Sequence, residues 1–182
     1  QEYGAFLGRI STEKGVDRAI KIASKAGLKL KIAAKVDNAD KEYYDTLIKP
    51  LIQGNPDVEF IGEINDAQKP AFLSGAHALI FPIDWPEPFG LVMIEAMACG
   101  TPVIAYACGS VPEVIEDGVT GFIVHDLAEA SDAVGRLPHL DRARIRRRFE
   151  DRYSATAMAQ RYVDIYRRIV SPKAARLGVA AE

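Results

Sequence analysis

Two carboxylates and two cations are the residues whose types and spacing lend themselves to chemistry. Glu87 lies in a proline-rich loop, Pro82-Ile-Asp-Trp-Pro-Glu-Pro88, and Glu95 follows in a Glu-x7-Glu spacing. An ionised carboxylate only accepts hydrogen bonds and takes two at once, which suits the vicinal hydroxyls of sugars and ribose. Glu95 stands among Val92, Ile94, Ala96 and Met97, company in which a carboxylate is an odd choice for packing. The pattern predicts a helix opening near Phe89 or Gly90. A carboxylate there gains only about 0.3–1 kcal/mol from the macrodipole, a bland role that accounts for one of the two. The N–H groups of Phe89, Gly90 and Leu91 at that opening are placed to meet an anion, and Gly90 has no side chain to block the approach.

Arg9 and Lys14 supply the opposite charge. They sit in Gly8-Arg-Ile-Ser-Thr-Glu-Lys-Gly15, between a strand and a helix. Two cations at a helix opening clamp an anion, each charge-assisted bond contributing about 1.5–3 kcal/mol. The loop has neither the Gly-x-Gly-x-x-Gly of a dinucleotide site nor the Gly-Lys-Ser/Thr of a P-loop. Taken alone, solvated loop charges explain it equally well.

These side chains need a frame, and the hydropathy pattern provides one. Short apolar runs at Tyr3–Gly8, Lys29–Ala34, Val58–Ile61, Ala78–Phe81, Pro102–Ala105 and Gly121–Val124 read as strands. Helical spacing is expected between them: about Gly15–Ala26, Lys41–Ile52, a stretch capped by Asp66 and ending near Ser74, Gly90–Ala98, and Val111–Glu116. Strands alternating with helices predict an α/β fold, a Rossmann-like open parallel sheet of about six strands flanked by helices. Ligands of such sheets sit beyond the carboxyl ends of the strands, so each strand-to-helix loop is a candidate site wall. After Leu127 the chain is expected to be helical, ending in a long helix near Ala155–Val170 and a frayed tail over 171–182.

Composition narrows the function classes. The chain has 182 residues, 48% hydrophobic and 26% charged, with a formal net charge of -2. That suits one domain or one lobe of a larger protein, and gives no general reason to bind nucleic acid or an anionic membrane. No apolar run reaches the ~18–20 residues of a membrane span and no signal-peptide pattern opens the chain. Two free thiols, Cys99 and Cys108, fit a reducing compartment, so a cytoplasmic setting is expected. Cys99 and Cys108, and His77, His125 and His139, fall in no metal-ligand pattern. The arginines over 142–152 are interrupted by Glu150 and Asp151 and read as a solvated helix face.

The run Trp85-Pro-Glu-Pro-Phe-Gly-Leu-Val-Met-Ile-Glu-Ala-Met-Ala-Cys-Gly-Thr-Pro-Val-Ile-Ala105 strongly resembles the donor-binding half of family 4 glycosyltransferases, also called glycosyl transferase group 1. The likeness extends to Gly8-Arg9 with Lys14-Gly15 and to Phe60-Ile-Gly62. It continues through Gly109-Ser-Val-Pro-Glu-Val-Ile-Glu-Asp-Gly-Val-Thr-Gly-Phe-Ile-Val124 and Arg148-Phe-Glu-Asp-Arg-Tyr-Ser154, so it covers roughly residues 3–170. It implies the C-terminal domain of a GT-B fold, in which two Rossmann-like domains face each other across a cleft. Residues 1–170 would form the nucleotide-sugar-binding domain, and the N-terminal acceptor domain would be missing. The implied reaction transfers a hexose-type unit with retention from an NDP-sugar to an acceptor hydroxyl, without a metal or other cofactor.

By match to the family's motifs, Arg9 and Lys14, with Gly8 beside them, contact the donor diphosphate. Glu87 holds hydroxyls of the donor sugar, Phe89, Gly90 and Leu91 lie near the sugar and phosphate, and Glu95 accepts from the ribose. Ile64, Asp66 and Lys69 occupy positions of base contacts in some relatives, although a helix cap and a solvated lysine fit Asp66 and Lys69 as well. Two departures stand out: Lys35 where relatives commonly place glycines, and Ser110 in place of a second glycine. Base, sugar and acceptor stay open, and peripheral membrane contact is expected only through a full-length enzyme. Rival readings are another GT-B enzyme, such as a nucleotide-sugar epimerase or sugar phosphorylase, and a non-catalytic scaffold.

Overall fold

The structure is a computed structural model and describes residues 3–174. Six strands form one parallel sheet: β1 (Tyr3–Arg9), β2 (Leu30–Lys35), β3 (Val58–Gly62), β4 (Ala76–Phe81), β5 (Val103–Tyr106) and β6 (Gly121–Val124). Their order is β3-β2-β1-β4-β5-β6. The order reverses at β1, which pairs with β2 through Gly4↔Leu30 and with β4 through Ala5↔Leu79. The loops after β1 and β4 therefore part to opposite faces and leave a crevice between them.

Burial on both faces explains why the strands read as continuous apolar runs. Alternate side chains point to opposite sides. Phe6, Ile32, Ile80 and Ile104 pack on one face beneath α1 (Val16–Ala26) and a later helix, α5 (Leu127–Arg136). Ala5, Ala33, Leu79 and Val103 pack on the other, beneath α3 (Leu91–Ala98) and the Ile145 side of α6 (Arg142–Tyr153). The described residues also form α2 (Lys69–Ser74), the short α4 (Val111–Val114), a single 3-10 turn at Leu137–His139 and the long α7 (Ala155–Ala174), besides the helical segment before β3.

Three details differ from the pattern reading. The single helix expected over Lys41–Ile52 is a broken segment over residues 38–53, with a π-helical stretch at Tyr44–Ile48. Pro50 follows two residues later, and its missing N–H removes a bond that a regular α-helix would make. Asp66 does not cap α2. The N-cap is Gln68, with no side-chain cap bond, and in the turn before it Asn65 Oδ1 accepts from the Gln68 N–H at 3.2 Å while Gln68 Oε1 accepts from the Asn65 N–H at 3.0 Å. Helix α7 runs to Ala174, past the expected start of the tail, and residues 175–182 lie outside the described residues.

Candidate functional site

The crevice at the switch point opens into a cavity of about 770 Å³, within the ~300–1,000 Å³ usual for small-molecule sites. One wall is the loop after β1. Lys14 crosses from it to Glu87 in the loop after β4, and the two form a partly buried ion pair. Backbone and side-chain bonds stitch the same two loops together. Asp84 N–H donates to the Glu13 carbonyl at 2.9 Å, and Arg18 Nε donates to the Pro82 carbonyl at 2.9 Å. The Lys14–Glu87 contact thus rests on a rigid base. Glu87 has a side chain only 14% exposed, and its neutralisation by Lys14 offsets the cost of desolvating it.

The opposite wall begins where the proline-rich loop turns into α3. Gly90 makes that turn with φ +73, a conformation that is strained for a residue with a Cβ. Leu91, Val92 and Met93 form the first turn of α3, whose amides lack i−4 partners in the helix and carry the positive end of its dipole. Glu95 follows in the next turn and accepts from Lys69 Nζ at 3.0 Å. Lys69, the first residue of α2, also meets Asp66 at 2.9 Å. The two carboxylates, Asp66 first, raise the Lys69 pKa and keep it charged.

Of the residues singled out in the sequence, Gly8, Lys14, Glu87, Phe89, Gly90, Leu91 and Glu95 line this one cavity, as do Ile64, Asp66 and Lys69. Arg9 is placed differently. Its guanidinium is half exposed and turned to Glu13 at 3.0 Å, with Asp37 and Asp40 at 3.9 Å, and it does not line the cavity. Lys35, its register partner on β2, does line it and pairs with Asp37 at 2.8 Å. Asp37 is therefore shared by both cations, and the Lys35 hydrogen bond is the main cause of its lowered pKa.

Glu63 and Asn65 also face the cavity and were not anticipated. Their signal was positional: both lie just past the carboxyl end of β3, where any residue of such a sheet is a site candidate. The basic stretch of α6 is largely tied up in ion pairs, Arg146 with Glu150, Arg147 with Asp141 and Arg148 with Glu116. Among the described residues no cluster of three His, Cys, Asp or Glu is placed to hold a metal ion, and no helix is long and apolar enough to cross a membrane.

Comparison with known proteins gives the family. The alpha-maltose-1-phosphate synthase of Mycolicibacterium smegmatis is 32% identical over 91% of the chain and 47% of its own length. The D-inositol 3-phosphate glycosyltransferase of Mycobacterium tuberculosis is 31% identical over 84% of the chain and 33% of its own length. The chain thus spans half or less of these curated relatives. Among solved structures, AviGT4, a glycosyltransferase involved in avilamycin A biosynthesis, superposes with a TM-score of 0.77 at 27% identity, covering 94% of this chain and 52% of that one. Anabaena HepE, solved in complex with UDP and glucose, has the same fold, with a TM-score of 0.77 at 22% identity over 91% of this chain and 48% of that one. Residues 1–151 match the family described as glycosyl transferases group 1, and the chain belongs to that family.

Proposed function

We propose that this chain is the nucleotide-sugar-binding part of a retaining glycosyltransferase, which moves a hexose-type unit from an NDP-sugar to an acceptor hydroxyl. One observation carries the reading. Two lysine–glutamate pairs, Lys14–Glu87 and Lys69–Glu95, flank the N-terminus of an eight-residue helix inside a single cavity. Cations and helix amides suit a diphosphate, and carboxylates suit hydroxyls. The Anabaena relative's complexes with UDP and with UDP-glucose support the same ligand class. Retention of configuration rests on the motif resemblance.

In this reading Lys14 shifts from Glu87 to the leaving diphosphate, Lys35 adds charge from the same cavity, and Arg9, its register partner, turns in from outside it. Positive charge aimed at the departing phosphate stabilises the transition state more than the ground state. Glu87, released from Lys14, accepts from the donor sugar, and Glu95 accepts from the ribose. The chain supplies one wall of the cleft; the acceptor and a facing domain, about 150–200 residues by domain-size priors, complete it.

Calorimetry of the full-length protein with UDP, GDP and ADP tests the assignment. One of them should bind at micromolar to low-millimolar Kd, and Glu95→Ala should weaken it by roughly tenfold or more. Absence of binding by all three, with transfer unaffected by Glu95→Ala and Lys14→Ala, would refute it.

A further inference from the structure

Among the described residues, Lys69 is the one lysine of the cavity held by two carboxylates at once, Asp66 at 2.9 Å and Glu95 at 3.0 Å. Its own backbone is fixed. Lys69 N–H donates to the Asn65 carbonyl at 3.2 Å, within the turn that the Asn65–Gln68 side chains close, and Pro70 follows it at the start of α2. The ammonium therefore hangs from a rigid point on the loop after β3 and reaches across to α3. Asp66, with a side chain 95% exposed, steadies it from the solvent side.

The contact engages Oε1 of Glu95. A carboxylate offers about four acceptor positions, so one ammonium leaves ample capacity for a diol while limiting rotation of the group. A carboxylate already oriented loses little side-chain freedom when a ligand arrives. The same two contacts commit two of the three N–H donors of Lys69 to carboxylates.

From this geometry we infer that Lys69 is a positioning residue: it orients Glu95 toward the ribose diol and so makes the cavity select ribonucleotide donors over donors lacking those hydroxyls. The inference rests on the nucleotide-sugar reading above. It gives Lys69 a role through Glu95 in place of a contact with the base.

The test compares binding of UDP and GDP with their 2′,3′-dideoxy counterparts to the full-length protein and to Lys69→Met, Lys69→Arg and Glu95→Gln. The wild type should favour each ribonucleotide by roughly tenfold or more, the size of a lost charge-assisted bond. Lys69→Met should bring that preference to about threefold or less, with the loss falling on the ribonucleotides. Lys69→Arg, which keeps the charge, should restore most of it. Equal losses for ribo and dideoxy ligands, or losses that depend on the base, would overturn the inference and make Lys69 a base contact. If Glu95→Gln keeps the full ribose preference, Glu95 is not the ribose contact and the inference fails alone; if the wild type binds no nucleotide, the nucleotide-sugar reading itself fails and the inference goes with it.

Discussion

The N–H of Ser110, in the loop after β5, donates to the carbonyl of Glu87 at 2.9 Å. Gly109, one residue earlier, lies so close to the same peptide that an added Cβ would sit 2.3 Å from the Glu87 nitrogen and 2.6 Å from its oxygen. The carboxylate that faces Lys14 is thus held from behind by the backbone of a second loop. The Gly109-Ser-Val-Pro-Glu block noted in the sequence gains a physical role here: it braces Glu87.

Gly109→Ala should therefore displace Glu87. Gly118→Ala is the matched control, because Gly118 has a similar positive φ of +71 but no atom within 4 Å of an added Cβ. Both variants carry left-handed backbone strain of about 1–2 kcal/mol. Only Gly109→Ala should also lower donor affinity or transfer, by roughly tenfold or more if one charge-assisted contact is lost. Equal effects of the two variants on ligand binding would sink the bracing role.

Arg142 makes the second prediction. At the start of α6 its guanidinium donates to the carbonyls of Ala76 at 3.0 Å and Ser74 at 3.1 Å, and to Thr101 Oγ1 at 2.7 Å. Thr101 is fully buried and its hydroxyl donates to the Leu73 carbonyl at 2.7 Å. Arg142→Met should cost about 1.5–3 kcal/mol of stability in urea unfolding, because it strands these acceptors. Arg142→Lys should recover only part, since an ammonium lacks the planar fork. Donor affinity, measured on the folded variants, should change little. Unchanged unfolding midpoints would show that the three bonds contribute nothing net.

Strand positions and the run of loop motifs were legible in the sequence because apolar runs and Gly/Pro punctuation follow local rules. Phe6, Ile80 and Ile104 come out buried for the same reason that their strands were recognisable. What local rules do not carry is how a flexible charged side chain chooses its partner. Arg9 and Lys14 are equivalent as text, yet Lys14 reaches Glu87, 73 positions away in sequence, while Arg9 settles on Glu13 four positions on. Lys69 and Glu95 show the same limit: their types were noted, but their pairing depends on how α2 packs beside α3. The π-turn before Pro50 was missed because helical periodicity alone does not register a widened turn.

Tyr43 gives a pH-dependent prediction away from the cavity. Its hydroxyl donates to Asp17 Oδ1 at 3.1 Å, tying the segment over residues 38–53 to α1. Burial, then the Asp17 charge, push its pKa up to about 12 from 10.0. Below pH 10 the phenol is protonated whether folded or unfolded, and its stabilising contribution is complete. As pH climbs from 10 to about 12 the unfolded phenol ionises first, so that contribution is progressively lost. Tyr43→Phe should be less stable than wild type by about 0.5–1.5 kcal/mol at neutral pH, and the gap should narrow above pH 10. A gap that stays constant through the alkaline range would rule out this titration.

The shared acceptor Asp37 leads to a prediction about Arg9 and Lys35. Asp37 lies 2.8 Å from Lys35 and 3.9 Å from Arg9, and these cations are register partners on adjacent strands. When an anion draws one of them into the cavity, the other is positioned to keep Asp37 neutralised, so each backs up the other. Arg9→Gln or Lys35→Gln alone should weaken a nucleoside diphosphate only about threefold, a fraction of the full worth of a charge-assisted bond. The double variant should lose more than the product of the single effects, a non-additivity expected of neighbours that share a partner. The corresponding nucleosides, which lack phosphate, should bind all three variants alike. Raising the salt concentration should shrink the single effects, because both side chains are half exposed. Strict additivity in this cycle would show that Arg9 and Lys35 act independently, and a loss confined to the Arg9 variants would remove Lys35 from the phosphate site.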